Sequence, residues 1–291
     1  MKTRQKKNPD GLARVLVGVD ASENAARAAA WAADLAEELG ARLTVAHALD
    51  LPVADPGAEP TQPTYFSERR QREGDRVLAR TNARLAKRHP DLPISAELSK
   101  LDPAQALVGF AAEADLLVTG TRGHGGFTGM LLGSVSNRLA AHAPCPVVVI
   151  GVDPPEATRS ELVLGVEADQ DPAPIDFAFR YADLLGLSVH AVRALEPLIA
   201  YGGYDERTRP AVAEEVEALL KAARARHPKV AVTVEPWQGA PVPALIQAAY
   251  GARLIVVGSH RRRGPLSFGP GQIVHGLLSH SATPVAVVPI P

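Results

Sequence analysis

Cysteine is almost missing from this chain of 291 residues; Cys145 stands alone. A disulfide framework and a cysteine-based metal cluster are therefore excluded. Cys145 lies in the apolar run "PCPVVVI", with no Lys, Arg or His beside it to hold a thiolate, so the sequence places it in a core. Net charge is missing too: 31 basic against 32 acidic residues leave −1 and a pI near 6.8. No whole-chain field attracts nucleic acid or an anionic membrane, so neither is expected as a partner. No apolar run approaches the ~18 residues of a membrane span, and the basic start "MKTRQKKNPD" has no apolar segment after it. A cytoplasmic protein is the expectation.

What is present is hydrophobic bulk, 46% of the residues, enough at this length for two cores of ordinary size. Two halves align at a nearly fixed spacing. "RVLVGVD" (14–20) matches "ELVLGVE" (161–167), and "DPAQALVGFAAEADLLVTG" (102–120) matches "APVPALIQAAYGARLIVVG" (240–258). "PVVVI" (146–150) matches "PVAVV" (284–288). The chain reads as two copies of one domain. The expected division is a tail over 1–12, a first domain over 13–151, a linker over 152–159 in the Pro-containing "GVDPPEATRS", and a second domain over 160–291.

In the first copy the apolar runs "RVLVGV", "RLTVAHAL", "PISAELS", "DLLVTG" and "PVVVI" have the continuous hydrophobicity of strands buried on both faces of a parallel sheet. Ala28, Trp31, Ala32, Leu35 and Leu39 follow a helical period, with Ser22 as candidate N-cap and Gly40 as C-cap. A second helix, from about Phe66 to His89, is crowded with Arg and Lys. Its interspersed acids, and the buried stripe predicted from Val77, Leu78, Thr81 and Leu85, make it a solvated face rather than a nucleic-acid surface. Five strands with intervening helices predict an open, doubly wound α/β layer structure in each copy.

The stretch "TGTRGHGGFTGMLLGSVSNRLA" (119–140) leaves the fourth strand at the edge where such sheets bind ligands. Gly120 and Gly123 permit close backbone approach, and Gly133 and Ser134 open a helix whose free N–H groups favour an anion. A Walker loop is excluded, because neither copy has G-x-x-x-x-G-K-[S/T] after its first strand. On the glycines alone, a phosphate cradle and a mobile surface loop stay equally open.

Gly120, Gly123, Gly133 and Ser134 stand as G-x2-G-x9-G-S, and "LVGVDASENAARAAAWAADLA" precedes them in the chain. In both respects, and over nearly its whole length, the sequence resembles the universal stress protein family, in a tandem form. The resemblance implies two Rossmann-like domains of the adenine nucleotide alpha hydrolase-like type, each with a five-stranded parallel sheet of order 3-2-1-4-5 and helices on both faces. It implies ATP as ligand, with any Mg2+ arriving on the phosphates and no metal ligands from the protein. Asp20 would lie near the adenosine, and the backbone at Ala48 would read the adenine edge. Gly120 would approach the ribose; Gly123, Gly133, Ser134 and Val135 would meet the phosphates; Arg122, His124 and Ser136 would assist. His47 is expected to be a hydrogen-bonded histidine with no catalytic role. The family's domains pair through the fifth-strand edge, so the two copies are expected to form a pseudo-dimer within one chain, and a homodimer of whole chains is open.

The second copy departs from the pattern. Gly258 and Gly271 are kept, but Arg261 replaces Gly123, Gln272 replaces Ser134 and Glu167 replaces Asp20, with Val192 at the base-reading edge. Arg261 would be strained at a positive-φ glycine position, or would fill the ligand's space. A degenerate site is expected there, with an altered anion site built on the arginines as the alternative. The function expected is an ATP-binding stress-response protein without dedicated catalysis, since no nucleophile–base pair or two-carboxylate metal clamp flanks the loop. The alternatives are a nucleotide-independent interaction module and a slow ATP hydrolase of the same superfamily.

Overall fold

The computed structural model describes residues 11–51, 63–121, 132–152, 154, 156–195, 208–260 and 271–290, with side chains in 63–121 described from residue 68. Strand and helix alternate throughout. The first repeat comprises β1 (Arg14–Gly18), α1 (Glu23–Leu39), β2 (Arg42–Ala48), α2 (Pro63–Arg88), β3 (Ile94–Ser99), α3 (Pro103–Ala111), β4 (Leu116–Gly120), α4 (Ser134–His142) and β5 (Val147–Ile150). The second comprises β6 (Glu161–Gly165), α5 (Pro172–Leu185), β7 (Ser188–Leu195), α6 (Thr208–Arg226), β8 (Val232–Gln238), α7 (Pro241–Ala248), β9 (Leu254–His260), α8 (Gln272–His280) and β10 (Val285–Ile290).

Contacts divide the chain into two compact units, Met1–Leu139 with Ala143–Cys145, and Ala140–His142 with Pro146–Pro291. In the first unit the strands lie in the order β3-β2-β1-β4, all parallel. The second unit has five parallel strands in the order β8-β7-β6-β9-β10, which is the expected 3-2-1-4-5 arrangement. β5 belongs to this unit as well. It pairs antiparallel with β10, setting Val149 opposite Val285 and Val147 opposite Val287. A valine-rich edge that would otherwise be open to intermolecular pairing is satisfied in this way.

The central strands of the first unit are buried on both faces: Val15, Leu16 and Val17 of β1 and Leu116, Leu117 and Val118 of β4 are at most 2% exposed. Helix α1 lies against them through Ala25, Ala28, Ala29, Ala32, Ala33 and Ala36, together with Leu35. Short side chains let the helix axis come close to the sheet, and that shifts the buried face. Trp31 and Leu39, placed on the buried stripe by their spacing, are only half-buried, and the alanines between them make the contact. The ends of α1 are those expected. The Ser22 side chain accepts from the Ala25 N–H, and Gly40 closes the helix at φ 64°. Helix α2 begins three residues earlier than its periodicity predicts and buries Leu78 and Leu85, while Val77 and Thr81 are half-buried.

Candidate functional site

Four chain segments converge at the carboxyl edge of the first unit's sheet. β1 leads to Val19, whose N–H donates to the Ala46 carbonyl at 2.8 Å, so Asp20 emerges beside the end of β2. His47 fixes the same junction: its Nδ1 donates to the Val19 carbonyl at 2.7 Å. That is the structural role expected of it. Asp20 is half-buried, and its Oδ1 accepts from the Ser22 N–H at 2.8 Å, which turns the chain into α1. Ala48, half-buried, ends β2 opposite Ser99.

Gly120 ends β4 against the first turn of α1. A Cβ there would stand 3.1 Å from the backbone carbonyl carbon and oxygen of Asn24. Glycine lets strand and helix approach this closely, where any side chain would press on the Asn24 backbone. Beyond it, the start of α4 is tied back to β4. The Gly133 N–H donates to the Thr121 carbonyl at 2.7 Å, and the Ser136 hydroxyl donates to the Gly120 carbonyl at 2.7 Å. Arg138, one turn on, meets Asp102 at the N-cap of α3 at 2.8 Å. Gly133 occupies the N-cap with no side chain to accept from the first turn, so among the described residues the opening N–H groups of α4 have no side-chain cap, and the positive end of the helix dipole lies at this edge.

The structure thus brings Asp20, Ala48, Gly120, Gly133, Ser134, Val135 and Ser136 to one sheet edge. Ser134 is exposed and Val135 half-buried. Ser136 is 3% exposed and directs its proton to Gly120, so its side chain holds the strand end to the helix. Arg122, Gly123 and His124 lie outside the described residues. Two side chains at this edge carry no signal in the glycine pattern. Asn24 is the surface on which Gly120 rests, and Thr121 is 6% exposed with a hydroxyl that has no hydrogen-bond partner among the described residues. Ser259 stands at the matching point of the second repeat, 6% exposed and likewise unpartnered among the described residues. The hydroxyl repeated after the last strand glycine was the available signal.

In the second unit the corresponding edge encloses a cavity of about 400 Å³ whose lining includes Glu167, Gln170, Val192, Gly258, Ser259 and Gln272. Gly271 is the N-cap of α8, without a side-chain cap among the described residues, and Gln272 is its exposed first residue. Glu167 is exposed, its N–H donating to the Gln170 side chain at 3.0 Å. Val192 is buried, and its carbonyl accepts from the Val166 N–H at 2.9 Å, the bond that Ala46 makes with Val19 in the first repeat, so Val192 matches Ala46 and not, as expected, Ala48; the residue at the Ala48 position is Ala194, which also lines the cavity. Val274 replaces Ser136, so the hydroxyl strap of the first repeat has no counterpart. Arg261 lies outside the described residues.

These features define a class: a tandem α/β protein with two Rossmann-like domains, each carrying loops and a helix N-terminus at the carboxyl ends of its parallel sheet. The universal stress protein family model matches residues 11–151 and again 160–289, and the chain belongs to that family. A universal stress protein of Mycobacterium tuberculosis is 31% identical over 291 residues, covering 94% of this chain and 96% of the relative. A second from the same organism is 30% identical over 284 residues, covering 94% and 95%. Among solved structures, a universal stress protein from Archaeoglobus fulgidus has the same fold, with a TM-score of 0.70 at 19% identity over 95% of this chain and 98% of that one. No described helix is long and apolar enough to cross a membrane.

Proposed function

We propose that this protein binds ATP in its first repeat and acts in a stress response as a nucleotide-dependent regulator rather than an enzyme. The observation that carries the reading is the tie of α4 to β4. Ser136 and Gly133 fix an uncapped helix N-terminus beside Gly120, at the edge where Asp20 and Ala48 also emerge. Uncapped N–H groups and a helix dipole suit a phosphate chain. Asp20 would accept from ribose hydroxyls, and the backbone at Ala48 would meet the adenine edge. Gly123, Gly133, Ser134 and Val135 would hold the phosphates, assisted by Arg122 and His124, with Mg2+ carried in by the nucleotide.

The second repeat serves in this reading as a partner without its own ATP. Gln272 and Arg261 bring long side chains where the first repeat has Ser134 and Gly123, and Val274 removes the strap. The test is the nucleotide content of the protein purified without added ligand. Denaturation and mass spectrometry should release about one adenine nucleotide per chain. Protein that comes out empty, and stays empty in millimolar ATP, contradicts the reading.

A further inference from the structure

Helix α2 carries six cations in a single row. Arg69, Arg72, Arg76, Arg80, Arg84 and Lys87 follow one another at spacings of 3, 4, 4, 4 and 3 residues, so they stack on one face, and all six are exposed. At 1.5 Å per residue the row is about 27 Å long. Among the described residues, only Arg72 of the six has an ion-pair partner, Glu68 at 4.0 Å. Helix stability does not account for this layout. Like charges three and four residues apart repel, and a helix selected only for solubility would place Glu before Lys or Arg at those steps; Glu68 and Glu73 stand so before Arg72 and Arg76, but no acid does before Arg80, Arg84 or Lys87.

The second repeat supplies the comparison. Helix α6 occupies the same place in its unit, and its charges fall in mixed order: Arg209, then Glu214, Glu215 and Glu217, then Lys221, Arg224 and Arg226. Glu217 pairs with Arg224 at 2.9 Å. The cation row is therefore a property of the first unit, not of the fold. The near-neutral charge of the whole chain, which argued against a nucleic-acid partner, conceals it.

We infer that this face of α2 docks on the phosphate backbone of double-stranded nucleic acid, without reading its sequence. Guanidinium groups pair bidentately with phosphate, and a straight row of them fits a ladder of regularly spaced anions. The row holds no Asn or Gln to read base edges. Between its cations stand Glu73, Ala79 and Ala83, so it offers no aromatic or long aliphatic anchor for a protein pocket. A membrane-surface helix would need a free apolar face, but Leu78 and Leu85 of α2 are buried in the core.

The experiment is fluorescence anisotropy of a labelled 20-base-pair duplex of arbitrary sequence, titrated with the full chain at several salt concentrations. Six phosphate contacts predict a log–log salt slope near −5, so affinity should fall about a thousandfold between 50 and 200 mM salt. The triple change Arg76→Gln, Arg80→Gln and Arg84→Gln should cut the slope by about 3 while leaving the melting temperature and its response to ATP intact. Absence of binding at 50 mM salt, a slope shallower than about −2, or a triple variant that binds as well as the parent would overturn the inference. So would binding to phosphatidylserine vesicles with none to the duplex.

Discussion

The hydroxyl of Ser136 donates to the carbonyl of Gly120 across 2.7 Å, joining the first turn of α4 to the end of β4. Both residues are buried, so the bond is shielded from water. Ser136→Ala leaves the Gly120 carbonyl without this donor, and a loss of about 1 kcal/mol of stability is expected in urea unfolding. ATP affinity should fall with it, because the helix N-terminus is no longer held in register. Unchanged stability together with unchanged affinity would remove the strap from the account.

Two glycines in the first unit should respond to alanine with opposite signs. At Gly120 a Cβ would stand 3.1 Å from the Asn24 backbone, which cannot move without shifting α1, so Gly120→Ala should cost about 1–3 kcal/mol. Gly109 lies inside α3, and its Cβ would meet nothing within 4 Å, so Gly109→Ala should stabilise by about 0.5–1 kcal/mol through helix propensity. Urea midpoints of the two variants check both signs.

Burial, reinforced by the nearby Asp115 carboxylate, pushes the Cys145 thiol from 9.0 up to about 12. In the folded protein it keeps its proton through pH 9, while the unfolded chain releases it there. The folded state therefore binds the extra proton between pH 9 and about 12. The stability this contributes is complete below pH 9 and is lost as pH rises through that window. At pH 8 a thiol reagent should leave the native protein unmodified and titrate one thiol per chain after denaturation. Rapid labelling of the native protein would place the thiol outside the core.

Asp20 and Glu167 are matched positions with different expected outcomes. Asp20→Asn keeps an oxygen to accept from the Ser22 N–H, so folding should survive, while ATP affinity should drop about tenfold, roughly 1.4 kcal/mol. Glu167→Gln should leave ATP affinity unchanged. Calorimetric titration of both variants distinguishes the repeats.

Much of the fold was legible because its signals are local and occur twice. Apolar runs gave the strands, Ser22 and Gly40 marked the ends of α1, and the near-constant offset revealed the repeat. The buried face of α1 was read less well, since spacing alone favours large residues such as Trp31 whereas close helix–sheet packing selects alanine. At the candidate site, the glycine pattern indicated the edge but not its internal ties. The hydroxyls of Thr121 and Ser259 recur after the strand glycines, but that they are buried, and that Ser136 ties α4 to β4, emerged only with the tertiary structure. The row on α2 was visible as composition, and its alignment on one exposed face emerged with the helix.

Calorimetric titration of the purified chain, stripped of nucleotide, with ATP tests the central claim most directly. One site per chain is expected, lost in Gly123→Arg, which copies the second repeat's residue, and retained when Arg261 is changed to Gly. No binding, two sites per chain, or full binding by Gly123→Arg would contradict it.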